Sequence, residues 1–154
     1  MIYFAFGSNM DPGQMAERCP AHRALGRAVL PGHRLCFPRR SPVRSCGTAG
    51  LASAAGHGLW GVLYELAESD LVRLHAAEGY APGRRAEENR HDFVEIEVRL
   101  GSVEGKTLRA FTDIARPDKS GAVPSADYLP HLIDGAEHHG LPNTYVALLR
   151  SIAA

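Results

Sequence analysis

Phe93-Val94-Glu95-Ile96-Glu97-Val98-Arg99-Leu100 alternates apolar and charged residues along almost its whole length, the signature of a strand with two unlike faces. Val94, Ile96, Val98 and Leu100 share one face, expected to meet a core. Phe93, Glu95, Glu97 and Arg99 share the other. The segment Val103–Lys106 holds a Gly-containing turn, and Leu108–Ile114 reads as a returning strand. The pair predicts a β-hairpin. Upstream, Gly58–Leu66 is strand-like, Thr48–Ser53 reads as a short strand, and Ala28–Leu30 and His33–Phe37 have extended character. At the N-terminal end Ile2–Phe6 is an apolar and aromatic run that stops at Gly7, which predicts a short buried strand.

Helices fit between and after these strands. Asp11 suits a helix N-cap, Pro12 the first helical position, and Gln14 the reciprocal place in a capping box. Ser69 is expected to cap a helix running to about Ala77 and stopped by Gly79. Ser125 is expected to start another that reaches His138 or His139 and closes at Gly140, with Pro130 either bending it or delaying its start. Pro142 opens a last helix with Tyr145, Leu148, Leu149 and Ile152 on one face. Strands dominate the earlier part of the chain, and parallel βαβ alternation is weak. The fold class expected is α+β: a small mixed, curved, barrel-like sheet with flanking helices, in one domain over residues 1–154.

Composition narrows the functions available. The chain has 154 residues, 45% of them apolar, enough for a core without metal or disulfide staples. Lys plus Arg and Asp plus Glu both number 17, so global charge favours neither nucleic acid nor an anionic membrane as partner. No apolar run reaches bilayer length, and Met1–Phe6 lacks the basic region of a signal peptide. Cys19, Cys36 and Cys46 form no CxxC pair, and an odd, sparse set of thiols points to a reducing, cytoplasmic setting. The eight His residues form no compact ligand set, so no metal site is expected from them.

Two features carry chemistry. From Leu71, the positions Leu74, His75 and Glu78 fall on one helical face, the apolar one. A carboxylate there points inward, in a last turn where the helix dipole disfavours negative charge. Both effects raise its expected pKa. The competing reading is a frayed helix end with Glu78 in solvent, and spacing alone does not separate the two. The second feature is Gly7-Ser8-Asn9. Gly and Asn tolerate positive φ, so successive N–H groups there could converge on a carboxylate or a developing oxyanion. A plain strand-to-helix turn uses the same residues.

Taken together, these features resemble the γ-glutamylcyclotransferases, an AIG2-like family. Tyr3–Met10 is similar to the family's opening strand and its Tyr-Gly-Ser-Asn-Leu loop, with Phe6 in place of Tyr and Met10 in place of Leu. Trp60–Tyr64 resembles its central strand, Glu78-Gly79-Tyr80 its Glu-Gly element, Pro124–Leu129 the segment whose Tyr lines the substrate site, and Gly135–Pro142 the junction before its terminal helix. The matches keep their order over nearly the whole chain. The resemblance implies conversion of a γ-glutamyl amide or peptide to 5-oxoproline and free amine, with no metal or cofactor required. Glu78 would be the catalytic acid/base, and Phe6, Gly7, Ser8, Asn9, Met10 and Tyr128 would bind the small-molecule substrate, with Ser8 or Asn9 holding its α-carboxylate. The loop Tyr80–Asp92 is expected to border the site. Arg39, Arg40 and Arg44 form a basic cluster that is either solvated or recognises a carboxylate. The sequence leaves open the leaving amine and the oligomeric state. Two other functions are carried forward: an inactive binding module of the same fold, and a thiol-dependent amidase, for which Cys46 is the most plausible thiol.

Overall fold

The computed structural model describes residues 1–153. Five strands close into a barrel: β1 (Ile2–Ala5), β2 (Arg23–Arg40), β3 (Gly47–Glu65), β4 (His91–Leu100) and β5 (Thr107–Ala115), in the order β1-β3-β2-β4-β5. Neighbours pair antiparallel except at the closure, where β1 meets β5 in parallel with Tyr3 beside Phe111. Four α-helices flank it: α1 (Pro12–Arg18), α2 (Glu68–Glu78), α3 (Leu129–His138) and α4 (Asn143–Ala153). The expected α+β class and barrel-like sheet are what the chain forms. No helix among the described residues is long and apolar enough to cross a membrane.

Closure explains why β1 is apolar on both faces. Tyr3, Phe4 and Ala5 are all buried, as are Val62, Leu63 and Tyr64 opposite them, because each strand has the barrel interior on one side and covering elements on the other. The extended pieces expected separately between Ala28 and Leu66 belong to two long strands, β2 and β3. Register shifts fall between Ala24 and Gly26, Pro31 and His33, and Cys36 and Arg39. Such bulges let a strand bend without losing its partner, so the polar and Gly-rich stretches that look like breaks in the sequence are bends.

Other local expectations change as well. Ala67, not Ser69, precedes the first turn of α2; Glu68 and Asp70 supply acidic groups there, favourable at the positive end of the helix dipole. Ser125 accepts the N–H groups of Tyr128 and Leu129 in a turn, and Pro130 delays α3 to Leu129. Gln14 completes no capping box at α1, although Asp11 does cap it through Gly13 N at 3.0 Å. On β4, Leu100 is exposed, whereas Phe93 packs against His75 and stacks on Phe111 with ring centroids 5.1 Å apart. The two-face pattern holds at Val98 and fails at the ends, where α2 covers the side that carries Phe93.

Candidate active site

The segment after β1 is one turn of 3-10 helix, Ser8–Met10. Gly7 has φ −114°, and Ser45 is the only residue other than glycine with positive φ among those described. The positive-φ nest is therefore corrected to a tight right-handed turn. The Met10 N–H donates to Gly7 O at 3.1 Å and is consumed there. The N–H groups of Gly7, Ser8 and Asn9 donate to no protein acceptor among the described residues.

Met10 does not reach the site. Its side chain is wholly buried, and its backbone packs directly on Gly135 of α3, where a Cβ would collide with it. Its expected contact with substrate is corrected to an anchoring contact. Tyr64 OH donates to Asn9 O at 3.0 Å from the core side. The turn is thus held from above by α3 and from below by β3.

Asn9 is the hub of the site. Its Nδ2 donates to Glu78 Oε1 at 2.9 Å and to Tyr3 OH at 3.2 Å. Its Oδ1 accepts from Arg18 at 2.9 Å and Gln14 at 3.0 Å. The orientation is forced, since a guanidinium only donates and a carboxylate only accepts. With both hydrogens and both lone pairs engaged, the Asn9 side chain has none left for a substrate carboxylate; only its backbone N–H is open. Gln14, misassigned to a cap by sequence spacing, donates to Ser8 Oγ at 2.7 Å and accepts from Arg44 at 2.5 Å.

Glu78 is the last residue of α2, ahead of Gly79 at φ 72°. That left-handed conformation suits glycine, and the Arg90 guanidinium occupies the space a side chain would take there. The Glu78 side chain is 17% exposed and turned inward, so the solvent-facing alternative is set aside. The apolar surroundings expected for it are absent, however. Arg18 lies 3.2 Å from Oε1 and His91 Nε2 3.5 Å from Oε2. His75 is packed between Tyr80 and Phe93 rather than against the carboxylate, and burial lowers its pKa. Burial also lowers that of His91, opposed by the neighbouring Glu78 charge.

These groups line a cavity of about 340 Å³. Phe6, Gly7, Ser8, Asn9, Glu78 and Tyr128 all border it, together with the arginines at 18, 39, 40, 44 and 90. Tyr128 OH accepts the Ala49 N–H at 2.9 Å, which leaves the phenol proton free to donate. Burial raises its pKa, so that proton is retained. The Arg44 guanidinium lies over the Tyr128 ring, 5.2 Å from its centroid. Of the loop Tyr80–Asp92, Arg90 and His91 reach the cavity.

The family follows from comparison with known proteins. Residues 58–149 match the AIG2-like family. The chain belongs to that family. As an AIG2-like protein it is 29% identical to the human and bovine γ-glutamylcyclotransferases, over 98% of this chain and 78% of each relative. A solved structure of a γ-glutamyl cyclotransferase superposes with a TM-score of 0.86 at 26% identity, covering 98% of this chain and 86% of that one. The segments 78–80 and 124–129 that carried the resemblance lie within the family match, whereas residues 3–10 lie outside it, in a chain of which the relatives and the solved structure cover 98%.

Tyr3, Arg18, His91 and Asp113 are cavity residues that sequence reasoning passed over. Asp113 had a readable signal, an acid inside the otherwise mostly apolar run Ala110–Ala115. Arg18 had one too, one helical turn after Gln14 and so on the same face of α1.

Proposed function

We propose that this AIG2-like protein is a γ-glutamyl cyclotransferase that converts a γ-glutamyl amide or peptide to 5-oxoproline and a free amine. The observation that supports it most is the contact between Glu78 Oε1 and Asn9 Nδ2 at 2.9 Å in the lining of a walled cavity, beside three N–H groups, of Gly7, Ser8 and Asn9, with no acceptor among the described residues.

In this reading the substrate's α-ammonium gives a proton to Glu78. The freed amine attacks the γ-carbonyl carbon, forming the ring C–N bond and a tetrahedral oxyanion. The N–H groups of Gly7, Ser8 and Asn9, with the Tyr128 phenol, are the donors for that charge. Collapse breaks the bond to the leaving nitrogen, which takes that proton from Glu78; the regenerated carboxylate then removes the second proton from the ring nitrogen and passes it to the amine, which departs as an ammonium. Holding nucleophile and electrophile in one folded molecule supplies on the order of 7–11 kcal/mol of the barrier reduction. Phe6 walls the glutamyl portion. The α-carboxylate goes to the Ser8 hydroxyl and the arginines at the mouth, since the Asn9 amide is saturated. Guanidinium groups suit that task because they bind carboxylates bidentately.

The thiol-dependent alternative loses support from the geometry. Neither Cys19, Cys36 nor Cys46 lines the cavity, and burial raises the Cys19 thiol to about 11, far from the thiolate a nucleophile needs. Incubation with a panel of γ-glutamyl dipeptides, amines and glutathione, followed by mass spectrometry, tests the proposal. Release of 5-oxoproline is expected; free glutamate would identify a hydrolase instead, and binding without turnover an inactive module.

A further inference from the structure

The cavity holds a second carboxyl group to which the reaction above gives no role. Asp113, on β5, is 6% exposed and lines the same cavity as Glu78. Its Oδ2 accepts from Tyr3 OH at 3.2 Å, while Oδ1 is buried with no protein partner among the described residues. We propose that Asp113 is a positioning residue for Glu78, acting as an uncharged carboxylic acid through Tyr3 and Asn9. This rests on the cyclotransferase reading of the site.

The hydrogen-bond directions carry the argument. Arg18 and Glu78 fix the Asn9 amide so that Nδ2 faces Tyr3 and Glu78. The Tyr3 oxygen therefore accepts, and its own proton needs an acceptor elsewhere. Asp113 Oδ2 is the one within reach. Tyr3 is buried, so a phenol proton left without a partner would carry the full cost of desolvation. Without Asp113 the phenol would rotate, Asn9 Nδ2 would lose one of its two acceptors, and the amide would be less firmly aimed at Glu78. The Asp113–Tyr3 and Tyr3–Asn9 links are neutral hydrogen bonds, the last runs to the Glu78 carboxylate, and the chain Asp113–Tyr3–Asn9–Glu78 spans β5, β1, the 3-10 turn and α2.

The charge state follows from what faces the group. Tyr3 on β1 offers one hydrogen bond, Phe93 stands opposite on β4, and Glu78 on α2 is negative. Arg18 on α1 opposes these at longer range. Burial first, then the Glu78 charge, push the Asp113 pKa well above the usual carboxylate range. Two carboxyl groups in one cavity are then held apart in protonation, one as base and one as acid. With its proton on Oδ1, Asp113 keeps Oδ2 as the acceptor for Tyr3. Asparagine is the near-isostere of that acid, because its carbonyl accepts from Tyr3 and its NH2 stands where the acid O–H stood. Leucine has similar bulk and offers neither.

The full chain with Asp113→Asn, Asp113→Leu or Tyr3→Phe is to be assayed on the γ-glutamyl compound that wild type turns over fastest. Asp113→Asn is expected to stay within threefold of wild-type kcat. Asp113→Leu and Tyr3→Phe are expected to lose tenfold or more in kcat, with a much smaller change in KM and with folding checked by circular dichroism. A wild-type kcat in folded Asp113→Leu overturns the proposal, as does an Asp113→Asn variant as impaired as Asp113→Leu. Infrared spectroscopy at neutral pH supplies a readout that needs no substrate. A protonated-carboxyl C=O band should vanish in Asp113→Asn and persist in Glu78→Gln, and its absence from wild type overturns the uncharged state. If wild type releases no 5-oxoproline from any γ-glutamyl compound, the cyclotransferase reading fails, and the role of Asp113 toward it fails with it, whatever the infrared band shows.

Discussion

The floor and the mouth of the cavity are built on opposite plans. On the floor, Tyr3, Asn9, Arg18 and Glu78 interlock through hydrogen bonds of 2.9–3.2 Å, and the Asn9 side chain has no free donor or acceptor. At the mouth, the segment Ser41–Cys46 joining β2 to β3 carries Val43 at 86% exposure, and Arg40, the last residue of β2, is in solvent. In the proposed reaction, the side chain that holds a proton-transfer geometry would be over-determined by its neighbours, whereas side chains that select a substrate would be left free to adapt to it. The floor groups sit on elements packed into the core, and the mouth groups sit on a connecting loop or at the strand end beside it.

Substitutions along that axis should separate chemistry, stability and recognition. The largest effect is expected at Glu78→Gln, which keeps shape but removes the proton acceptor. Turnover should fall by at least about 10²–10⁴-fold, the usual worth of a general acid–base, with a melting temperature close to wild type. Retained activity would exclude Glu78 as the base. Asn9→Leu should come next, because it strands Tyr3, Arg18 and Glu78 together. A loss of about 1–3 kcal/mol in urea titration is expected, with most of kcat.

Gly135→Ala touches nothing in the cavity, yet it forces α3 away from the Met10 backbone. It should cost about 1–3 kcal/mol, as overpacking does, with a fall in kcat as the turn shifts. A variant with wild-type stability would show that this contact does not hold the turn. A smaller effect is expected on lowering the pH. Burial lowers the pKa values of His75, His91 and His139 in the folded chain. Below about pH 6.5, where an unfolded His takes up its proton, the unfolded state binds more protons than the folded one, so stability falls with pH. Above that range the effect is absent. His75→Phe should flatten part of the loss in thermal melts, and an unchanged slope would count against it.

The mouth should respond least. Arg40→Ala is expected to raise KM a few-fold at constant kcat, and Val43→Ala to change stability by less than about 0.5 kcal/mol. A kcat effect at either position would erase the distinction between floor and mouth.

How much was legible varied with the kind of information required. Glu78 and the Gly7-Ser8-Asn9 turn could be singled out because helical phase and strand-end chemistry are local, and so could the closing Gly79 and the hairpin of β4 and β5. The length of β2 and β3 was not legible. Their bulges read as breaks, and only pairing with a neighbour shows that a strand continues through them. The role of Gln14 was misread for a related reason: a capping box and a site contact ask for the same residue at the same spacing. Met10 was placed at the site by its sequence neighbours and removed from it by the packing of α3.

The sequence by itself determined which residues carry donors and acceptors, the order of the elements, and the helical phase that puts Glu78 on the face of Leu71 and Leu74. Those follow from chain chemistry and from the periodicities of helix and strand, which act over a few residues. Tertiary structure decided that Asn9, Arg18, Glu78, His91 and Asp113 meet in one cavity, and that the surroundings of Glu78 are ionic rather than apolar. Barrel closure brings β1 beside β5 and α2 against the 3-10 turn, and electrostatic environments are set by distances through space, which spacing along the chain does not encode.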